Sequence, residues 1–397
     1  MPCSPARARH LLKSGKAKVV RREPFTIKML GYCGEAKQEI VAGMDVGSRT
    51  IGVAAVVKNG EEVKELFKEE VILRGDDVKR KIQQRQMYRR TRRRRKLRYR
   101  QKRHLNRGKK GSIRPSVLHS INCHLKEKKY IESLLPITKW IVETAKFDIN
   151  KISNPNIIDY KDGPQKGYNN IKAYILDRDG YKCRLCGSKN KKFHIHHINL
   201  RSKGGSNEHT NLITICEDCH DKIHKGKVEN FKVRRSITKD ASQLNVISPQ
   251  VIKRFNGVLL TYGFETKYKR EAMGLPKTHY NDALSICLSD EEAQLNNIKL
   301  LDYYCVKKMV SKGDYRQTRG RHSQTKIPTG KLFGLRKFDK VKTIKGIGFV
   351  SGKRKDGRFA ICDVFGNSIS ENVNIKKNVI RISARKNYLF DIIKIER

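Results

Sequence analysis

The sequence predicts a multidomain α/β chain in which a cysteine-held insert interrupts a core of apolar strands. Three observations lead there. Residues 40–57 set short apolar runs between glycine turns. Residues 181–224 carry two Cys-x-x-Cys pairs around a group of histidines. Between them lies a very basic segment, residues 79–107, in which sixteen of 29 residues are Lys or Arg and none is acidic. At 397 residues the chain has length for about two to four domains. Lys plus Arg number 88 against 39 Asp plus Glu, a formal net charge of +49, and such an excess needs a polyanionic partner. No run approaches eighteen apolar residues, so no membrane span is expected, and the basic N-terminus lacks an apolar signal core. Ten cysteines without a secretory signal point to a reducing, cytoplasmic setting. Cys3, Cys33, Cys123, Cys287, Cys305 and Cys362 have no ligand-like spacing and read as structural residues.

Ile40-Val-Ala-Gly-Met-Asp45-Val-Gly47-Ser-Arg-Thr-Ile-Gly52-Val reads as a strand, a tight turn and a second strand. A lone Asp here is ordinarily a turn or capping residue. The pattern resembles the first motif of the RuvC/RNase H nuclease fold, in which that Asp binds two Mg2+ ions. Such a core needs further carboxylates from distant segments, because two-metal hydrolysis clamps both the attacking and the leaving oxygen. Trp140-Ile-Val-Glu143 follows a helical stretch and looks like the second motif. Lys277-Thr-His279-Tyr-Asn-Asp282 opens a helix and looks like the third, with an i, i+3 spacing that lets His279 and Asp282 face one site. Taken singly, Glu143 reads as a surface Glu and Asp282 as a residue of a helix start. Taken in order, the resemblance implies Asp45, Glu143 and Asp282 as Mg2+ ligands, with His279 positioning water, metal or the scissile phosphate.

Residues 79–107 lack Gly and Pro, and their Gln, Arg, Lys, Met and Leu favour helix. Self-repulsion disfavours that helix in isolation, so it is expected to form against phosphates. Ile82, Met87, Tyr88, Leu97 and Tyr99 remain as packing residues, which argues against a disordered tail. Arg85, Arg89, Arg92, Arg93, Arg95, Arg100 and Arg103 are the candidate phosphate contacts, since guanidinium forks pair with phosphate oxygens.

Cys183, Cys186, Cys216 and Cys219 form two pairs suited to a closed tetrahedral Zn2+ site. A plain zinc ribbon leaves His196-His197, Asn211, His220 and His224 without a purpose. Their order resembles the HNH nuclease motif, a ββα finger that holds one divalent metal against a scissile phosphate. The resemblance implies His196 and His220 as ligands of a single Mg2+, His197 as the base that activates water, and Asn211 as the residue pinning the loop that orients His197. Neutral imidazole suits both histidine roles near pH 7. Many relatives have Asp where His196 stands. His224 lies at i+4 from His220 and is open between a third ligand, a phosphate contact and a surface residue.

A RuvC-like core split in three, an arginine-rich helix after its first piece and an HNH insert before its third resemble the IscB proteins, transposon-associated RNA-guided DNA endonucleases related to the type II CRISPR effectors. The resemblance implies seven segments: an N-terminal PLMP-like module at 1–38, RuvC-like segments at 39–74, 109–154 and 246–295, a bridge helix at 75–108, an HNH domain with linkers at 155–245, and a β-rich domain at 296–397 that contacts RNA and the target-adjacent duplex. The chain begins Met1-Pro2, so the upstream part of the Pro-Leu-Met-Pro sequence is missing or shortened. Gly346–Phe365 reads as short strands around an Asp356-Gly357 hairpin turn, and residues 380–389 as one further strand, so a small β-barrel-like module is expected. Arg316, Arg319 and Arg321 are expected to lie on nucleic acid.

The implied partners are a structured guide (omega) RNA and a double-stranded DNA target, with one protein chain per RNA and no membrane. The implied cofactors are two Mg2+ in the RuvC-like site, one in the HNH site, and structural Zn2+. Bacterial or archaeal cytoplasm is the expected location. Two other classes remain open: an HNH homing-type nickase that reads DNA directly, and a non-catalytic RNA-guided binder.

Overall fold

The computed structural model describes residues 3–31, 38–60, 62–94, 113–144, 170–200, 205, 207–228, 231, 238–295, 297–311, 333–354, 356–375 and 378–395. Cys33, Arg95, Arg100, Arg103, most of the expected entry linker, and Arg316, Arg319 and Arg321 lie outside them. In chain order the elements begin with α1 (Pro5–Lys13), β1 (Ala17–Arg22), β2 (Phe25–Met29), β3 (Glu39–Asp45), β4 (Thr50–Asn59), β5 (Glu62–Ile72), α2 (Gly75–Arg94), α3 (Pro115–Glu132) and β6 (Lys139–Thr144). The middle of the chain gives α4 (Ile171–Arg178), β7 (Phe193–His197), β8 (Leu212–Cys216), α5 (Glu217–His224), α6 (Thr238–Phe255), β9 (Leu259–Tyr262), α7 (Gly263–Ala272), α8 (His279–Cys287) and α9 (Asp290–Leu295). The last region supplies β10 (Ile298–Lys299), β11 (Tyr303–Met309), β12 (Lys340–Thr343), β13 (Gly346–Lys353), β14 (Arg358–Cys362), β15 (Ser368–Asn374), β16 (Ile380–Ser383) and β17 (Tyr388–Lys394).

The chain divides into two compact units. The first comprises Met1–Gly75, Val117–Ala145 and Ile247–Arg397. Its main sheet runs β17-β11-β5-β4-β3-β6-β9, with β10 also on β5. Strands β3, β4 and β5 form an antiparallel meander, while β6 joins β3 and β9 joins β6 in parallel. Apolar composition explains the central position of β3: Ile40, Val41, Ala42 and Met44 are all buried. Each such large side chain contributes roughly 1.5–3 kcal/mol on burial.

Helix α8 lies directly on β3 and β4, and two glycines make that approach possible. A Cβ on Gly43 would stand 2.3 Å from the Ala283 carbonyl oxygen, and one on Gly52 would stand 1.9 Å from that of His279. Elsewhere in this unit Lys307 is buried between Glu69 and Glu127, at 3.0 and 2.5 Å, and 3.6 Å from the Tyr130 ring centroid. Despite burial, its two carboxylate partners keep the Lys307 ammonium charged, while burial and the neighbouring Glu127 hold the Glu69 carboxyl well above its usual range.

The C-terminal region, expected as a small β-barrel-like module, divides its strands between two sheets. A five-stranded sheet, β15-β14-β13-β12-β16, forms there, but β11 and β17 leave it to extend the main sheet. The stretch expected as one strand over 380–389 is accordingly two, β16 and β17, serving different sheets. The Asp356-Gly357 turn does connect β13 to β14, with Gly357 at φ +84°.

The second unit comprises Asp76–Ser116 and Lys146–Val246. Its α2 places Arg85 and Arg89 on an exposed face, and Arg92 and Arg93 fall within its span. The hairpin β7–β8 and α5 make the expected ββα finger. Buried Asp179 accepts the Thr214 backbone N–H at 2.8 Å, and Arg178 donates to the carbonyls of His209 and Leu212. These bonds fasten the end of α4 to the hairpin.

Candidate active sites

Strand register builds the first site. Asp45 pairs with Gly52, and Gly52 pairs with Glu70, so the two carboxylates flank a residue without a side chain. The start of α8 fills that gap. The His279 imidazole Nδ1 lies 2.6 Å from Asp45 Oδ2, and its backbone N–H donates to Glu70 Oε1 at 3.2 Å. Thr278 caps the helix by accepting the Asn281 N–H, which fixes the turn that carries His279 and Asp282. Arg270 of α7 holds Asp282 Oδ1 at 2.6 Å. Glu143 arrives on β6, beside β3.

Electrostatics join these groups. Burial, the Asp45 charge and, more weakly, the Asp282 charge raise the Glu143 pKa to about 7, against the lowering effects of a Thr266 hydrogen bond and His279. Burial raises Glu70 also, while His279 opposes it. The hydrogen bond to Asp45 raises His279 despite its partial burial. Carboxylates that repel one another in this way are a donor set a divalent hard cation would relieve, so Mg2+ or Mn2+ fits. The structure thus gathers Asp45, Glu143, His279 and Asp282, all named from sequence, and adds Glu70 and Arg270, which were not. Glu70 reads in sequence as one of several charged residues on an edge-like strand; only the register with Gly52 reveals it.

The second site lies on the ββα finger. His196, His220 and His224 bring ligand nitrogens within 4.8 Å of one another. His196 is buried on β7, and His220 and His224 share one face of α5 with Nε2 atoms 3.2 Å apart. His194 stacks on His220 with ring centroids 5.2 Å apart. Desolvation, then the neighbouring His224 and His194, lower the pKa of His220, which favours the neutral ligand form. The three imidazoles fit a divalent ion, and His224 joins as a third donor. Without a carboxylate in the set, borderline transition ions match it better than Mg2+.

His197 stands outside that cluster. Its Nε2 lies 2.9 Å from Asn207 Oδ1, an oxygen that can only accept, so this contact engages Nε2 and leaves Nδ1 free of it. Asn207 was read from sequence only as part of a turn. Asn211 clamps the backbone two residues beyond His197, accepting the Asn199 N–H at 2.8 Å and donating to its carbonyl at 3.2 Å.

Cys183, Cys186, Cys216 and Cys219 converge beside this finger, all Sγ within 4.8 Å. Although burial raises it, the Cys183 thiol is brought down to about 6 by backbone N–H groups of Cys186, Cys216 and Leu185. A ready thiolate among four converging sulfurs fits tetrahedral zinc.

Comparison with known proteins completes the picture. Residues 1–165 match the RRXRR protein family, and residues 183–226 match the HNH endonuclease family. The chain carries an RRXRR region and an HNH endonuclease domain. With its HNH match the chain is a metal-dependent nuclease, and its fold is mixed α/β, as its sequence predicts. A curated relative, anaredoxin of Nostoc sp. (strain PCC 7120 / SAG 25.82 / UTEX 2576), is 34% identical over 67 residues, 16% of this chain and 88% of that protein. Among solved structures, T. thermophilus RuvC in complex with a Holliday junction substrate is similar at TM-score 0.25 and 12% identity, over 66% of this chain and 99% of that one. Streptococcus thermophilus Cas9 in complex with the GGAA PAM is similar at TM-score 0.35 and 13% identity, over 59% of this chain; this chain spans 33% of that Cas9. Among the described residues, no helix is long and apolar enough to cross a membrane.

Proposed function

We propose that this chain is an IscB-like, RNA-guided DNA endonuclease that cuts the guide-paired strand at the HNH site and the displaced strand at the RuvC-like site. The observation that carries the reading is the pairing of two chemically different metal-ligand sets, one of carboxylates and one of imidazoles, in a chain of net charge +49. One set per strand accounts for both cuts, and the charge excess is what a bound structured RNA, besides DNA, would neutralise. The seven segments expected from sequence serve as the domain map, with Arg85, Arg89 and the following arginines of the bridge segment on guide or heteroduplex phosphates.

At the RuvC-like site Asp45, Glu143 and Asp282, assisted by Glu70, would hold two divalent ions. Divalent ions bound there would supply charge to polarise the scissile phosphate and to activate water. Arg270 keeps the Asp282 carboxylate in one orientation. His279, with Nδ1 committed to Asp45, presents Nε2 to water or to a phosphate oxygen. At the HNH site His196, His220 and His224 would hold one ion. His197 takes the proton of attacking water at Nδ1, the nitrogen that Asn207 leaves free. Asn211 fixes the loop behind it, and the four cysteines hold zinc.

Sequencing RNA that co-purifies with the protein, expressed with its native flanking DNA, identifies the guide. With that guide and a matched duplex, His197→Ala is expected to nick only the displaced strand and Asp45→Ala only the paired strand. If either substitution abolished both cuts while RNA and target binding persisted, the assignment of one site per strand would fail. Sequence-specific cutting by protein freed of RNA would instead establish a nickase that reads DNA directly.

A further inference from the structure

We propose that Tyr262 and Phe264 form a stacking platform for an unpaired base of the DNA strand that enters the carboxylate site. The inference rests on the reading of that site as the place where phosphodiester is cut. Strand β9 closes one edge of the main sheet and runs straight into α7. Its end exposes large side chains that a folded protein ordinarily covers: Tyr262 is 53% and Phe264 71% exposed. Their rings lie nearly parallel, 12° apart, with centroids 6.0 Å from each other. They therefore present aligned aromatic faces rather than a scattered apolar surface.

Their position ties them to the chemistry. Gly263 separates them, and a Cβ on that glycine would stand 3.1 Å from Glu143 Oε1. Register pairs Tyr262 with Thr144, the residue after Glu143. The two rings thus straddle the point where the sheet edge touches a metal-site carboxylate. The backbone beneath them is fixed, because Glu265 Oε2 accepts from Thr261 Oγ1 at 2.5 Å and from the Tyr262 N–H at 3.4 Å. A platform held this way loses little entropy on binding.

Nucleic acid is the occupant that fits. The substrate of a nuclease must lay its phosphates at this carboxylate cluster, and its bases then fall within reach of the adjoining surface. Every base has a π face, so aromatic stacking is tolerant of sequence, as a guided enzyme requires. A base in a duplex has both faces covered by its neighbours, whereas one in a displaced strand does not. Charge agrees: exposed Lys267 follows on α7 and exposed Lys277 precedes His279. The Lys267–Glu271 pair, at 3.8 Å and mostly exposed, is a weak surface contact that a phosphate can replace.

The test is photocrosslinking of the full-length protein to a single-stranded DNA oligonucleotide containing 5-iododeoxyuridine, with adducts located by mass spectrometry. Adducts are expected on Tyr262 or Phe264. Phe264→Ala should lower the yield on this segment at least about fivefold, the low end for one base–aromatic stack, while adducts elsewhere on the basic surface stay constant. Phe264→Trp should retain the yield, and Phe264→Leu should behave like the alanine variant. Absence of adducts at this segment, or full yield with leucine, overturns the proposal. So does a wild-type dimer that Phe264→Ala converts to monomer, which would assign the patch to a second copy of the chain. Mn2+ binding followed by electron paramagnetic resonance separates the two levels of inference. If Asp45→Asn and Glu143→Gln leave it unchanged, the carboxylate-site reading falls and takes the platform with it. If both weaken it while crosslinking ignores Phe264, the platform alone falls.

Discussion

Glu143 shows how far a side chain's chemistry depends on neighbours that sequence does not place beside it. Its local setting, an acid near the end of an apolar strand, is unremarkable, and only its order with Asp45 and Asp282 makes it legible as a ligand. Burial and the charge of Asp45 hold its pKa at about 7. Below that pH the carboxyl keeps its proton, and a metal must displace it; above it the ligand is already ionised. Divalent-metal affinity at the carboxylate site should therefore rise as pH increases from about 6 to 8. Release of the His279 proton, also held above its ordinary range by Asp45, acts in the same direction. Calorimetric Mn2+ titrations in two buffers of different ionisation enthalpy measure the protons released. Glu143→Gln should lower the affinity and flatten its pH dependence; a slope that survives the substitution would assign the proton to His279. Glu70 and Asn207 stayed hidden because each acts through a partner fixed by register or loop geometry, Gly52 in one case and His197 in the other.

Glycines, rather than the acidic residues, decide whether the elements carrying this site can meet. The strand–turn–strand at 40–57 was readable from its apolar runs and glycine turn, and a helix start from the Lys277–Asp282 stretch, but their contact was not. Gly52 permits it: an added Cβ would lie 1.9 Å from the His279 carbonyl oxygen, backbone that cannot rotate away. Gly52→Ala should push α8 from the sheet, destabilise the protein by about 1–3 kcal/mol as overpacking does, and weaken metal binding because His279 and Asp282 move together. Gly60, at φ +64° with open space around it, supplies the control. Gly60→Ala meets only backbone strain, about 1 kcal/mol, and should leave metal affinity unchanged. Thermal denaturation and Mn2+ titration of the two variants distinguish these effects. The C-terminal strands illustrate the opposite limit. Residues 380–389 look continuous in sequence, yet they divide between two sheets, and propensity holds no information about which sheet a strand will join.

Among the described residues, candidate metal donors are sorted by type. Oxygen donors gather around Asp45, imidazoles at His196, His220 and His224, and sulfurs at the four cysteines. Spacing made the sulfur set legible at once, because Cys-x-x-Cys pairs are local, and made His224 ambiguous, because an i+4 histidine faces its partner without having to share a ligand. Hard Mg2+ prefers oxygen, and its weak affinity for nitrogen leaves the all-imidazole set poorly served. The two active sites should accordingly answer to different ions. With zinc already in the cysteine site and Mg2+ as the only added metal, the carboxylate site should cut at full rate and the histidine site slowly; Mn2+ or Co2+ should restore the second cut. Strand-resolved cleavage with each strand separately labelled reads the two activities in one reaction. His224→Asp, which exchanges one imidazole for a carboxylate, should shift the histidine site toward Mg2+ and leave the other strand's cleavage unaltered. Equal Mg2+ dependence of both cuts in the unmodified enzyme would show that water and phosphate oxygens, rather than the three imidazoles, set the preference at the second site.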